Sequence, residues 1–133
     1  MKTKFATSWK RSVQPRKQRK YRHNAPLHIK QKFVSAHLSK ELRKKYSKRS
    51  INLRKGDNVK VMRGQFRNKQ GKVEEVDLKK TRVYISGIEI SKKDGTKTRH
   101  PLHPSNLLVT ELNIDDKMRN KVLERKKKNV KAS

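Results

Sequence analysis

The chain has 133 residues, of which 39 are lysine or arginine and 11 are aspartate or glutamate, so its formal net charge is +28. Only 30% of the residues are hydrophobic, which is too little apolar surface for a core that includes the whole chain. The sequence has no cysteine, which excludes disulfides and thiolate metal sites, and no apolar window is long enough to span a bilayer. The excess positive charge calls for a polyanionic partner: nucleic acid, an anionic membrane or an acidic protein.

The charge divides the chain into three parts. Residues 1–55 contain 19 lysines and arginines and one acid, residues 56–114 contain 12 and seven, and residues 115–133 contain eight and three. We expect a basic N-terminal extension with short helices at 1–50, a small barrel at 51–112 and a basic C-terminal helix or tail at 113–133. The N-terminal segment has no apolar run of signal-peptide length, so a cytosolic location is expected. Its basic, acid-poor composition also fits a transit peptide, although its serine content is low.

The N-terminal extension begins with a segment that shows no sustained periodicity. Up to about Asn24 the sequence is strongly basic and contains Pro15, which predicts an extended tail. After it, Pro26 is suited to the first position of a short helix that carries Ile29 and Phe33 one turn apart.

A second short helix is predicted next. Ser39 is a suitable N-cap, Glu41 lies in the positive first turn, and Leu42 and Tyr46 share one face. Both helices are too short to persist alone, so they need the barrel or a partner to lie on.

The middle of the chain alternates as β-strands do. Apolar residues recur at every second position around Val59 and around Val83, and the apolar phase slips by one residue at Gly87 and again between Val73 and Val76. Such slips are typical of β-bulges, and short, bent strands favour a small closed barrel.

The C-terminal third contains a hairpin, a last strand and a helix. The pair Asp94-Gly95 predicts a tight hairpin turn, and residues 106–112 supply the last strand. The acidic pair Asp115-Asp116 lies near a predicted helix start, with Met118 and Val122 one turn apart and a run of cations at the negative end of the helix.

The stretch VMRGQFRNKQGKV, Val61–Val73, lies between two predicted strands and contains two glycines and four cations. It begins a block, Val61–Gly87, that resembles the KOW motif of small SH3-like barrels. From about Asn24 to the C-terminus the chain resembles the KOW-containing large-subunit ribosomal protein family of archaea and eukaryotes, numbered twenty-four universally and twenty-six in older eukaryotic naming. The segments that carry this resemblance are NAPLHI, LSKELRKKY, RKGDNVKVMRGQF, DGT, HPSN and LNIDDK.

The resemblance implies a mainly β fold: a small SH3-like (KOW) barrel with a basic, partly helical N-terminal extension and a C-terminal helix. It implies binding to large-subunit rRNA near its 5′ part, close to the polypeptide exit tunnel, with neighbouring ribosomal proteins as further partners and a role in subunit assembly. The expected location is cytoplasmic, on the ribosome, and we expect no cofactor, membrane partner or small-molecule substrate. An alternative is a KOW-type transcription factor or nucleic-acid-packaging protein, but the elongation factors carry a separate domain that does not fit here.

The predicted RNA-binding residues fall into three groups. In the loop, glycines let backbone N–H groups approach phosphates and cations neutralise them; this group is Arg63, Gly64, Phe66, Arg67, Lys69, Gly71 and Lys72. The tail is expected to thread between RNA helices as an extended segment that orders on binding; this group is Arg16, Lys17, Arg19, Lys20, Arg22 and His23. The end of the second predicted helix supplies Lys44, Lys45, Lys48 and Arg49.

Several of these residues have a second interpretation. Phe66 either stacks on an unpaired base or packs against the barrel, the two glycines serve simple turns equally well, and the loop cations are otherwise a solvated surface. Tyr21 and Trp9 either stack on bases or are exposed aromatics of the tail. Where the chain has Asn68, relatives commonly have glycine; asparagine tolerates a left-handed backbone, so we expect the turn to keep its geometry.

We predict no enzyme activity and no metal site. His100 and His103 lack further ligands for a closed metal shell, and hydrogen bonds within a proline-stiffened loop account for them better. The nearest acidic cluster is Glu74, Glu75 and Asp77, but strand alternation sends Glu74 and Glu75 to opposite faces unless a bulge intervenes.

Overall fold

The computed structural model describes residues 5–8 and 11–131, with side chains up to residue 125. Its helices are α1 (Pro15–Asn24), α2 (Leu27–Phe33), α3 (Lys40–Tyr46) and α4 (Lys117–Lys131), and a short 3-10 helix covers Pro104–Asn106. Its strands are β1 (Ser35–Leu38), β2 (Ser50–Asn52), β3 (Asn58–Val61), β4 (Gln70–Asp77), β5 (Arg82–Ile85), β6 (Glu89–Ser91), β7 (Lys97–Arg99) and β8 (Leu107–Glu111). In this range no helix has the length and apolar character needed to cross a membrane.

Six of the strands form one curved sheet in the order β2-β1-β8-β3-β4-β5. At the edge strand β5, Val83 exchanges two backbone hydrogen bonds of 2.9 Å with Leu102. These bonds join β5 to the segment that leads into β8. Alternate residues of the strands point inward, and Val59, Val61 and Val109 are completely buried. The mainly β fold with attached helices confirms the expected small barrel.

Strand β1 was not predicted. It lies between two helices within the segment assigned to the N-terminal extension, yet it pairs with β8 in parallel and with β2 in antiparallel orientation. The backbone N–H of Ser39 donates to the carbonyl of Val109, which extends the contact with β8 by one residue. Four residues are too few for a clear period-two pattern, and the strand forms because its partners are distant in sequence. The N-terminal segment therefore contributes both a strand and helices to the body of the molecule.

The predicted extended tail is a helix over part of its length, so this expectation was wrong for α1. Pro15 occupies the first position of α1, where a missing N–H costs nothing, and so it begins the helix instead of interrupting it. No residue of α1 is buried. Its contact with the body includes Tyr21, whose ring centroid lies 6.4 Å from that of Phe33 in α2.

The two predicted short helices are confirmed as α2 and α3. Pro26 stands at the N-cap position of α2, one residue before the helix begins. The Ser39 hydroxyl accepts a hydrogen bond of 3.3 Å from the N–H of Leu42 and so caps α3 as expected. Tyr46 is buried at the end of that helix.

Of the two predicted bulges, one is present. The register between β4 and β5 shifts between Val73 and Glu75, which leaves Glu74 and Glu75 both exposed. At Gly87 the prediction was wrong: with φ +75° it belongs to a turn that ends β5. After this turn the chain enters the separate β6–β7 hairpin, and its Asp94-Gly95 turn is as predicted.

Helix α4 packs through a face that the sequence did not indicate. Met118 and Val122 are exposed, whereas Arg119 and Leu123 are almost completely buried. The start of the helix agrees with the prediction, since the Asp116 carboxylate accepts a hydrogen bond of 2.7 Å from the N–H of Met118.

Candidate nucleic-acid interface

The loop between β3 and β4, residues 62–69, is held by its own backbone. The N–H of Asn68 donates to the carbonyl of Val61 at 2.8 Å, and the N–H of Val61 donates to the carbonyl of Lys69 at 2.9 Å. Gly64 and Asn68 both have positive φ, at +91° and +70°. Asn68 therefore keeps the left-handed turn that we expected it to tolerate. The side chains of this loop therefore project from a backbone that is held by internal hydrogen bonds.

Phe66 anchors the loop to the barrel. Its side chain is buried within the hydrophobic core, and its ring centroid lies 5.1 Å from that of the His100 ring. The Lys69 ammonium lies 5.2 Å from the Phe66 ring centroid, within cation–π range. Burial supports the packing interpretation of Phe66 and leaves its ring covered, so it is not positioned to stack on a base.

Gly71 lies in strand β4 and not in the loop. It pairs with Val59 across the β3–β4 ladder. A Cβ atom at this position would lie 2.5 Å from the backbone oxygen of Ser86 and 2.7 Å from Cγ2 of Ile85. The glycine is explained by close packing of β4 against the end of β5, and this replaces the predicted turn at Gly71.

The loop cations are exposed and are not engaged in ion pairs with other described residues. Arg63, Arg67 and Lys69 face solvent, as does Lys72 on β4. Within the described part of the chain, none of the four forms an ion pair with a carboxylate. By contrast, Arg99 lies 2.9 Å from the Glu75 carboxylate. The structure thus places Arg63, Arg67 and Lys69 together on the loop, whereas Lys72 lies on β4 opposite Asn58, at the end of the β3–β4 ladder away from the loop.

The six predicted cations of the tail lie on α1. All are exposed: Arg16, Lys17, Arg19, Lys20, Arg22 and His23. Arg16, Arg19, Lys20 and His23 follow the spacing i, i+3, i+4, i+7, so they share one side of the helix. The charge is therefore presented by a helix and not by an extended thread. Trp9, the other aromatic residue considered for stacking, lies outside the described residues.

The cations in the last turn of α3 and just after it divide into two sets. Lys44, Lys45 and Arg49 are exposed. Lys48 is half-buried, and its ammonium donates to the backbone carbonyl of Val122 in α4. Lys48 therefore joins the segment after α3 to α4, which is a structural role that the sequence did not reveal.

His103 is used in a local cap, as expected for a proline-stiffened loop. Its Nδ1 accepts a hydrogen bond of 3.3 Å from the N–H of Ser105, at the start of the 3-10 helix. The Ser105 hydroxyl oxygen also lies 2.7 Å from Nδ1, so this ring nitrogen is engaged within the loop. Partial burial, together with the nearby charges of Arg82 and Arg22, holds the pKa of His103 below its ordinary value. No group of three or more metal-ligating side chains occurs among the described residues.

A cationic groove that the sequence did not reveal lies between α1, α2, the start of β1 and the β4–β5 turn. Its basic and imidazole lining residues are Arg22, His23, Lys30, Lys32, Lys79 and His103. These residues come from four separate segments, and no sequence spacing relates them. The only local signal is the Lys79-Lys80 pair in a strand-connecting turn.

The fold and this surface define the class of molecule: a small β-barrel protein with strongly cationic attachments. A family profile that describes the eukaryotic L26 and archaeal L24 ribosomal proteins matches residues 12–126. The chain belongs to this family of ribosomal proteins, which confirms the resemblance found in the sequence.

Three relatives show how extensive the similarity is, and each is called large ribosomal subunit protein uL24. The protein of Methanosphaera stadtmanae is 50% identical over 115 residues, covering 86% of this chain and 98% of the relative. The protein of Methanothrix thermoacetophila is 51% identical over 114 residues, which cover 86% of this chain and 98% of the relative. The protein of Methanocella arvoryzae is 48% identical over 115 residues, which cover 86% of this chain and 93% of the relative.

Proposed function

We propose that the protein is a structural component of the large ribosomal subunit and binds rRNA through the β3–β4 loop and its basic helices. The observation that carries this proposal is the set of exposed loop cations without carboxylate partners in the described structure. Family membership supports it, as do relatives named as large-subunit proteins. The role is structural, not enzymatic.

The loop contacts are made by side chains on a fixed backbone. Arg63 and Arg67 bind phosphate oxygens with paired N–H donors, and Lys69 and Lys72 act as point charges. Because Phe66 and the internal hydrogen bonds hold residues 62–69 in place, little ordering entropy is lost when RNA binds. Gly64, which is exposed and has positive φ, leaves the backbone open to a phosphate.

The helices extend this surface. The side of α1 that carries Arg16, Arg19, Lys20 and His23 lies against the phosphates that border an RNA groove, and Lys44, Lys45 and Arg49 contact a second stretch of backbone. Such contacts position the protein on RNA without reading bases. Recognition therefore depends on the shape of the folded RNA and on its charge.

The position in the subunit is part of the same proposal. By its family resemblance, the protein binds near the 5′ part of the large rRNA, close to the polypeptide exit tunnel, contacts neighbouring ribosomal proteins and assists subunit assembly in the cytoplasm. The family match over residues 12–126 supports membership of the large subunit's protein family for both the helices and the barrel.

Sedimentation tests the proposal. The native protein should travel with large ribosomal subunits through a sucrose gradient after a moderate-salt wash, and it should be absent from free small subunits. Recovery only in the soluble fraction, while other large-subunit proteins remain bound, would contradict it.

A further inference from the structure

The cationic groove gathers several positive charges from separate segments of the chain, and an anion is needed to balance them. Arg22 and His23 come from α1, Lys30 and Lys32 from α2, and Lys79 from the turn between β4 and β5. No carboxylate of the described residues lines the groove. A second, larger pocket beside Lys55, Lys72 and Arg99 differs, because it is also lined by Glu74 and Glu75, and Glu75 forms an ion pair with Arg99.

The groove has the size and donors to hold a phosphate group. Its volume is about 280 Å³, just below the roughly 300–1,000 Å³ typical of sites for drug-sized ligands. His103 adds an imidazole ring to this lining, and its Nδ1 is engaged by Ser105. Guanidinium, ammonium and imidazole N–H groups are the usual ligands of phosphate oxygens.

The groove also lies where α1 meets the body of the molecule. Helix α1 has no buried residue, and its Arg22 lines the groove together with cations of α2 and of the β4–β5 turn. Like charges gathered in one groove oppose docking of the helix. An anion between them converts repulsion into attraction on both sides.

We propose that this groove is a phosphate-binding site that holds the backbone of one RNA strand and thereby clamps α1 against the barrel. The inference rests on the proposed function and makes it specific: the helix pair and the barrel contact the same strand at Lys32 and Lys79. The loop at residues 62–69 is a separate contact.

Two measurements on the full chain test the site. The first is titration with inorganic phosphate at low ionic strength, followed by NMR of the backbone amides. In the unsubstituted protein, saturable shifts should cluster at Ser35, Thr81 and His103, which line or adjoin the groove. The double variant Lys32→Gln/Lys79→Gln should lose them. The matched variant Lys92→Gln/Lys93→Gln, which removes the same charge from the β6–β7 hairpin, should keep them. Shifts spread evenly over all basic surfaces would overturn the proposal.

The second measurement is binding to a large-subunit rRNA fragment across a salt series. The groove variant should lower the slope of log affinity against log salt by roughly 0.7 to 0.9 for each phosphate that it no longer neutralises. If the unsubstituted protein binds the fragment but the groove variant behaves like the hairpin variant, the groove proposal fails and the proposed function stands. If the unsubstituted protein does not bind, the proposed function itself fails. Both lysines are exposed, and equal melting temperatures confirm that the variants fold.

Discussion

Arg119 of α4 and Asp57, between β2 and β3, form a buried, bidentate ion pair. The two guanidinium nitrogens lie 2.6 and 2.7 Å from the two carboxylate oxygens. The carboxylate also accepts hydrogen bonds from the N–H groups of Arg54 at 2.9 Å and Asn113 at 3.0 Å. With every carboxylate oxygen occupied, this pair fixes the C-terminal helix to the barrel although the two residues are 62 positions apart in the chain.

Substitution Arg119→Ala should strongly destabilise the protein. It leaves the Asp57 carboxylate buried without its counter-charge, which costs about 3–5 kcal/mol. Urea unfolding followed by circular dichroism measures this change. The control Arg125→Ala, at an exposed position of the same helix, should remain within about 0.5 kcal/mol of the parent. Equal stability of the two variants would show that the ion pair does not fix α4.

Substitution Gly71→Ala should destabilise the barrel because the new methyl group collides with backbone. A Cβ would stand 2.5 Å from the Ser86 oxygen, and overpacking of this kind costs about 1–3 kcal/mol. The thermal midpoint of Gly71→Ala should therefore fall well below that of Gln70→Ala, an exposed neighbour in the same strand. If Gly71→Ala instead melts normally and loses only RNA affinity, the glycine is required by the RNA and not by packing.

Removing two loop charges should affect binding and leave folding intact. The double variant Arg67→Ala/Lys69→Ala deletes exposed cations, so its affinity for an rRNA fragment should fall while its melting temperature stays close to that of the parent. The equal charge loss Lys92→Ala/Lys93→Ala, in the hairpin turn, is the control for net charge. An early-melting loop variant with normal affinity would reverse the roles assigned to this loop.

Stability should decrease in mild acid because of His103. Burial, then Arg82 and Arg22, lower its pKa in the folded chain below the ordinary value of 6.5. Between these two values the unfolded chain binds more protons, so the free energy of unfolding falls as the pH falls through this window. His103→Asn keeps an acceptor for the Ser105 N–H and should reduce the difference in stability between pH 5 and pH 7. The exposed His28→Asn should not, and an identical pH dependence in both variants would contradict this account.

Local chemistry allowed much of the fold to be predicted. The Ser39 cap, the Asp94-Gly95 turn and the left-handed Asn68 each depend on a few adjacent residues, and all three are present. Pro15 was misinterpreted because proline both interrupts helices and begins them, and only the neighbouring structure decides which occurs.

The features that the sequence did not predict depend on distant contacts. Strand β1 exists because β8 lies beside it, and Arg119 is buried because Asp57 receives it. In the candidate site, the loop and helix cations were predicted from charge alone, because charged residues are usually exposed whatever the tertiary contacts of the chain are. The covered ring of Phe66 and the groove at Lys32 and Lys79 depend on how separate segments pack, and no local pattern encodes this.

The central claim is that exposed cations on a folded scaffold bind the phosphates of rRNA, and the salt dependence of affinity for a large-subunit rRNA fragment tests it most directly. If six or more phosphates are contacted, affinity should fall roughly a thousandfold or more between about 50 and 200 mM salt, with log affinity linear in log salt. An affinity that stays constant across this range would contradict the account.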